Sequence, residues 1–276
     1  ASAVGVILCK KLNLLSFFII FQVFLYSICA ADAYESDVVA GASKPFDFEK
    51  FTNQFEADYV EENQGISIIN FVGNYDKTID GMPNHEARQA VMHEFFRHQD
   101  DDYDFIFVFT QFEFDTGEAT AFANSIFNDV EGIGKELFDY RANYSSGILQ
   151  SIIDMADVNR WEFNPANRNY DALLDTVIHE FMHRWGISVK YIDANGEVSN
   201  RLLGRSNSHW SYYFNSNASV MYGSLWQEIQ QGQFQTIDTR HSLSPLDLYL
   251  AGFIDRDSVA DMFVIDNASQ GHNTDI

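Results

Sequence analysis

The chain has 276 residues, enough for one large domain or two small ones with a sizeable core. Seventeen basic residues stand against 40 acidic ones, a net charge of −23, so no Lys/Arg patch exists to neutralise phosphates and nucleic acid is not expected as a partner. The 25 Phe and 13 Tyr argue for a packed body and against disorder, and the acidity suits solubility in a saline or extracellular setting.

In chain order, Lys10 and Lys11 precede the apolar run LNLLSFFIIFQVFLYSICA, residues 12–30. A basic start, an apolar middle and small residues at the end read as a signal peptide over residues 1–33, cleaved after Ala30 or Ala33. The rival reading is an uncleaved membrane anchor. A lipid-bearing Cys29 is the weaker idea, because Ile28 is bulky where a small residue is expected. Each reading sends the body across a membrane, to a secreted, periplasmic or anchored location, with the leader as the only membrane contact. Cys9 and Cys29 are the two cysteines, so the body beyond the leader has no disulfide framework, no Cys-ligated zinc and no thiol nucleophile. A metal site must then use His and carboxylates. The chain begins with Ala1 and is expected to be a fragment of a longer protein.

Residues 34–63 read as a linker, with one short helix around Phe46 to Tyr59. Gly65 to Val72 is a strand candidate, and His85 to His98 a helix. Tyr103 to Phe112, YDFIFVFTQF, is the strongest strand signal, an apolar run of the kind buried on both faces. Glu113 to Phe127 is expected to be a loop leading into a short helix, and Asn128 to Gly147 a loop with short strands. Ile148 to Met155 is a further apolar segment. This order predicts an α+β fold over residues 64–276.

The run Asp171 to Gly186, DALLDTVIHEFMHRWG, contains His179-Glu180-Phe181-Met182-His183, an H-E-x-x-H motif. Leu173, Leu174, Val177, Ile178, Phe181, Met182 and Trp185 recur at helical spacing, with Asp171 as a plausible cap and Gly186 as a stop. On a helix, residues four apart share a face, so both imidazoles reach one metal ion and Glu180 stands beside them to act on a water. The bland alternative is a helix with two satisfied histidines on its polar edge. Beyond it, Ile187 to Ile192 and Glu197 to Leu203 read as a hairpin about Asn195-Gly196, Gly204 to Gly223 as loop, and Ser244-Pro245 as the start of a helix that stops at Gly252.

Two histidines leave a tetrahedral zinc short of a third protein ligand. His209 is the best candidate, in the polar stretch Ser208-His209-Trp210-Ser211, 26 residues after His183. Its bland role is a surface histidine beside a packed Trp. Asp247 is the runner-up, with helix-dipole complementation as its alternative role. Glu228 is weaker, and His241 carries a small weight. His93-Glu94 echoes the motif, but Arg97 occupies the second His position.

HEFMHRWG resembles the zincin metallopeptidase motif, and His179-Glu180-x-x-His183-x-x-Gly186 matches the first eight positions of the metzincin pattern. In metzincins a histidine three residues further on is the third ligand; here Val189 stands there. Ser219-Val220-Met221-Tyr222-Gly223 resembles a metzincin Met-turn, 12 residues after His209 at its Met. A wider set, DDYDFIFVFTQFEF, NDVEGIG, the motif helix, SHWS, SVMYG and SPLDLYLAG, is similar to a group of uncharacterised secreted bacterial zincin-like proteins over roughly residues 100–255. The resemblance implies a zincin-like fold, a mixed twisted sheet on the motif helix with a C-terminal subdomain supplying the third ligand. It implies Zn2+ on His179, His183 and His209, the last displaced by an inserted hairpin. It also implies a secreted zinc metalloendopeptidase acting on protein or peptide substrates, with Glu180 as general base and Tyr222 as a possible oxyanion partner. Trp185 and Trp210 are expected as walls. The alternatives are a zinc hydrolase acting on a non-peptide bond, or a non-catalytic secreted binding or adhesion module. Asn143, Asn217 and Asn267 head glycosylation sequons that matter only in a eukaryotic secretory pathway.

Overall fold

Burial alternates along Ile66–Val72, with Ser67, Ile69 and Phe71 turned inward, so this strand rests one face on a core. The computed structural model in which it is seen describes residues 2–10, 55–63, 66–239 and 242–266. They belong to two units, one of residues 1–127 and 138–173, the other of residues 128–137 and 174–276. The class is mixed α+β.

In the first unit, β1 (Ser2–Lys10), β2 (Glu56–Asn63), β3 (Ile66–Val72), β4 (Tyr103–Thr110), β5 (Phe122–Ser125) and β6 (Ser151–Asp157) form one sheet in the order β2-β3-β1-β4-β6-β5. β4 and β6 run parallel, and every other neighbouring pair is antiparallel. The parallel pair is also the one buried almost throughout, as expected of strands covered on both faces. α1 (His85–His98) lies against β2 and β3. Asn84 starts it, its side chain accepting from the Ala87 amide at 3.4 Å. Val91, Met92 and Phe95 of α1 pack with Ile69, Phe71, Ile106 and Val108 of the sheet. Each such side chain contributes about 1.5–3 kcal/mol when fully buried.

Several elements differ from the expectations. Ser2–Lys10, the head of the segment expected as a leader, forms β1 between β3 and β4. The apolar run 12–30 lies outside the described residues, as do residues 34–54 of the expected linker. Glu56–Asn63 is a strand where a helix was expected to reach Tyr59. Its backbone pairs with the open edge of β3, which outweighs the weak local preference of an acidic segment. The helix expected near the end of Glu113 to Phe127 is instead β5, drawn into the sheet by pairing with β6. Among the described residues no helix is long and apolar enough to cross a membrane.

The first unit also buries charge. Asp154 is fully buried and accepts from Arg88 Nε at 3.1 Å, Tyr75 Oη at 3.1 Å and Asn124 Nδ2 at 3.0 Å. Arg88 donates further to the carbonyls of Asp76 and Asn84, and its guanidinium lies 4.1 Å from the centre of the Tyr75 ring. Burial, and then the Asp154 charge, push the Tyr75 phenol well above its usual value.

The second unit takes up the chain within α2 (Tyr170–Met182) and adds β7 (Trp210–Asn215), β8 (Tyr222–Gln230), β9 (Gln233–Asp238) and α3 (Pro245–Leu250). β8 pairs parallel with β7 and antiparallel with β9. The core gathers Met182, Ile187, Leu203, Trp210, Phe214, Val220, Met221 and Leu250. The Gly204 to Gly223 stretch is therefore not all loop. Its Ser and Asn residues hide β7, in which Trp210, Ser211, Tyr213 and Phe214 are all buried. The Asn-Gly hairpin is present but short, pairing Tyr191–Ile192 with Val198–Ser199. Ser244 caps α3 in a reciprocal box with Asp247, as its Ser-Pro start implies.

Candidate metal centre

α2 buries Leu173, Val177, Phe181 and Met182, and this apolar stripe fixes where its polar edge points. His179 lies on that edge. His183 follows the last helical residue, in a turn where the amides of Trp185 and Gly186 both donate to the Met182 carbonyl at 3.0 Å. The helix thus ends at Met182, four positions before the expected stop at Gly186, yet the two histidine rings still meet edge to face. The segment 128–137 clamps this end. Arg184 donates to Asn128 Oδ1 at 2.7 Å and to Asp129 Oδ1 at 2.8 Å, and Lys135 donates from Nζ to the His183 carbonyl.

His209 stands just before β7. Its neighbour Trp210 is wholly buried, donating from Nε1 to Asp247 Oδ1 at 2.8 Å and from its amide to the Met221 carbonyl at 3.0 Å. The Gly204 amide donates to the His209 carbonyl at 2.8 Å. A Cβ at Gly204 would meet the Trp210 carbonyl oxygen at 2.7 Å, so the backbone approach that sets His209 needs glycine there.

The three rings meet. Their centroids are 4.9 Å apart for His179 and His183, 5.0 Å for His179 and His209, and 5.0 Å for His183 and His209. One nitrogen from each lies within 4.8 Å of the other two, so the triad could hold a metal ion. Two tautomers follow from their partners. His179 Nδ1 lies 2.8 Å from the Val220 carbonyl and His209 Nδ1 lies 3.0 Å from the Arg205 carbonyl. Carbonyls only accept, so both Nδ1 atoms carry the proton. Both Nε2 atoms are then bare in the neutral rings, and they face each other at 3.1 Å.

His183 is 15% exposed at its side chain, whereas His179 and His209 are buried. Burial, then the adjacent His179 and His209, and then the charges of Lys135 and Arg205 hold His183 well below the usual imidazole value. Burial and the charge of Arg184 lower Lys135 itself to about 8. Glu180 is buried beside the triad, with Oε2 4.0 Å from His183 Nε2.

The other sequence candidates go elsewhere. Asp247 is wholly buried but is spent on structure, accepting from Trp210, from Ser219 Oγ at 2.6 Å and from the Ser244 amide at 2.6 Å. Burial pushes its pKa up, offset in part by those bonds. Glu228 is exposed on β8 and accepts from the Gly232 amide. His241 lies outside the described residues. His93 contacts the Asn143 carbonyl, and Glu94 accepts from Arg97 and the Tyr59 amide, so both are buried in structural hydrogen bonds of the first unit. Val189 packs against the apolar core. Of the two expected walls, Trp185 packs on Phe181 at 5.0 Å and Trp210 is a core residue.

The turn between β7 and β8 serves the site through its backbone. Val220 anchors His179, Met221 is fully buried, and Tyr222 stacks on His209 at 4.6 Å with its φ at 74°. Two parts of the surroundings escaped the sequence reading, Arg205 and Lys135. Neither sits in a motif, and both reach the site by loop geometry. No known protein family, no curated protein and no solved structure matches the chain.

Proposed function

We propose that the chain is a secreted zinc metalloendopeptidase with a zincin-like fold and a metzincin-like site. The observation that carries this reading is the approach of His179 Nε2 and His209 Nε2 at 3.1 Å with both Nδ1 atoms committed to carbonyls. With both rings neutral, two bare lone pairs at that distance repel, and either a proton or a metal ion between them relieves the repulsion. On a tetrahedral zinc with bonds of 2.0–2.1 Å, two nitrogens stand about 3.3 Å apart, so the donor set fits that ion. The carbonyl bonds behind the rings also suit ligation, since they fix each ring and raise its basicity. His179, His183 and His209 would hold the ion, leaving a fourth position for substrate chemistry.

When bound, zinc supplies Lewis acidity, which makes water nucleophilic near neutral pH and polarises a carbonyl. Glu180 takes the proton from the attacking water and returns it to the leaving amine. It is buried, with Oε2 4.0 Å from His183 Nε2. Tyr222 lies against two of the rings and offers a hydroxyl to a developing oxyanion. The turn at Met221 sets the carbonyl of Val220 behind His179, and the fully buried Met221 is the residue that would form the hydrophobic floor of a Met-turn. Secretion rests on the residue 12–30 run alone.

The test joins metal content to cleavage. Purified protein should carry close to one zinc per chain and cleave a casein substrate, and Glu180→Gln should keep the zinc and lose the cleavage. Equal cleavage by both proteins would remove the peptidase reading. Protein that neither carries nor takes up metal would remove the site.

A further inference from the structure

Arg205 is a cation for which the proposed hydrolysis has no use. It opens a short turn, Arg205–Asn207, in which Ser206 and Asn207 adopt φ of 57° and 53°. This left-handed pair folds the chain so that both ends of Arg205 serve the site. Its carbonyl accepts from His209 Nδ1 at 3.0 Å, and its Nη2 donates to Tyr222 Oη at 3.4 Å. Tyr222 in turn lies 4.6 Å from His209 and 5.1 Å from His179, ring centre to ring centre. The guanidinium is therefore one aromatic ring away from the triad, with Cζ 5.5 Å from the centre of that ring.

The chain has 40 acidic residues for 17 basic ones, so acids are plentiful. Arg88, Arg97, Arg141, Arg160, Arg184 and Arg201 each pair with an Asp or Glu. Among the described residues Arg168, Arg205 and Arg256 have no carboxylate partner; Arg168 and Arg256 are exposed, whereas Arg205 is half-buried beside the triad. A guanidinium presents a planar fork that binds a carboxylate through two hydrogen bonds, and partial burial strengthens such a pair. Tyr222, stacked on His209 and on Tyr212 at 5.8 Å, is a rigid shelf for it.

We propose that Arg205 is the specificity-determining residue of this site and binds a carboxylate of the substrate. The preferred peptides are then acidic near the cleaved bond or carry a free C-terminus close to it. This inference rests on the peptidase reading above.

Binding of four hexapeptides to zinc-loaded Glu180→Gln protein tests it without turnover. They carry Glu or Gln at a central position, each with a free or an amidated C-terminus. The carboxylate form should bind about tenfold tighter than its amide counterpart, the Glu/Gln pair reporting a side chain and the free/amidated pair a chain end. In Glu180→Gln/Arg205→Gln the ratio should fall to about one, and Arg205→Lys should keep part of it. The neutral amidated peptide should bind all three proteins alike, which shows that the site is still folded. An unchanged ratio in Arg205→Gln, no carboxylate preference at all, or no peptide binding would each overturn the proposal. Casein cleavage that depends on Glu180 with a flat ratio would overturn this inference alone. An Arg205-dependent ratio without cleavage would overturn the peptidase reading alone.

Discussion

In the first unit a buried carboxylate, Asp154, is met by Arg88, Tyr75 and Asn124, all donors. In the second, three imidazoles converge, and two of them turn bare nitrogens on each other at 3.1 Å. The first cluster is balanced in charge and in hydrogen bonding at the carboxylate, although Arg88 Nη2 is buried without a hydrogen-bond partner. The second brings one nitrogen from each of three rings within 4.8 Å of the others and could hold a metal ion. Burial is similar in both, and the difference lies in what each cluster still lacks. A buried carboxylate met by donors specifies a structure, whereas converging ring nitrogens describe a place for an ion.

The strongest test of this contrast is to break the balanced cluster. Arg88→Met leaves the Asp154 carboxylate buried beside Tyr75 and Asn124 without its cation. Removing one partner of a buried pair costs about 3–5 kcal/mol. Urea unfolding should report a loss of that size, while the folded variant keeps its zinc stoichiometry. A loss under about 1 kcal/mol, the range of exposed pairs, would show that the cluster is not the balanced unit described.

The two clusters were unequally visible in sequence. His179 and His183 sit four apart on a periodic helix, so their convergence is local and readable. His209 could be named from its polar stretch 26 residues after His183 and 12 before Met221, but its setting depends on Gly204 and Trp210, which no pattern announces. The Arg88 and Asp154 pair was not readable at all. It joins α1 to β6 across 66 residues, and nothing near either residue marks it. For the fold, α1 was legible to the residue because its apolar positions are periodic. β7 was not, because Ser211 occupies a buried position in a Ser/Asn-rich stretch and mimics loop. β8 and β9 escaped because their exposed polar ladders lack an apolar face to read.

A smaller effect separates the position of a ligand from its presence. Gly204→Ala drives a Cβ against the Trp210 carbonyl oxygen at 2.7 Å. Overpacking of this kind costs about 1–3 kcal/mol. Because the displaced backbone carries His209, zinc affinity measured by competition with a chelator should fall as well, although no ligand has changed. An unaltered affinity would mean that His209 does not depend on this packing.

The pH dependence sharpens the contrast further. His183 is held well below its usual value of 6.5, so below that pH the unfolded chain binds a proton that the folded metal-free protein refuses. Stability should therefore be flat with respect to this group above pH 6.5 and fall as pH drops from 6.5 towards the folded value. The limiting slope is about 1.4 kcal/mol per pH unit for one proton. In His183→Asn the slope in that window should diminish. An identical pH profile for the two proteins would show that the imidazole is not kept neutral by its surroundings.

The smallest stability change is expected at the triad itself. His209→Gln removes a stack on Tyr222 and a bond to the Arg205 carbonyl, but it also removes one of two lone pairs facing each other at 3.1 Å. No buried charge is orphaned, unlike in Arg88→Met. The metal-free variant should therefore unfold within about 1 kcal/mol of the metal-free parent. Zinc is where they part. At a free concentration a hundredfold above the dissociation constant, a ligand that binds only the folded state adds about 2.7 kcal/mol. The parent should show that gain as a rise in melting temperature, and the variant should lose most of it. If the metal-free variant were instead as damaged as Arg88→Met, the three imidazoles would be serving the fold as Asp154 does, and the distinction between a finished cluster and a receptive one would collapse.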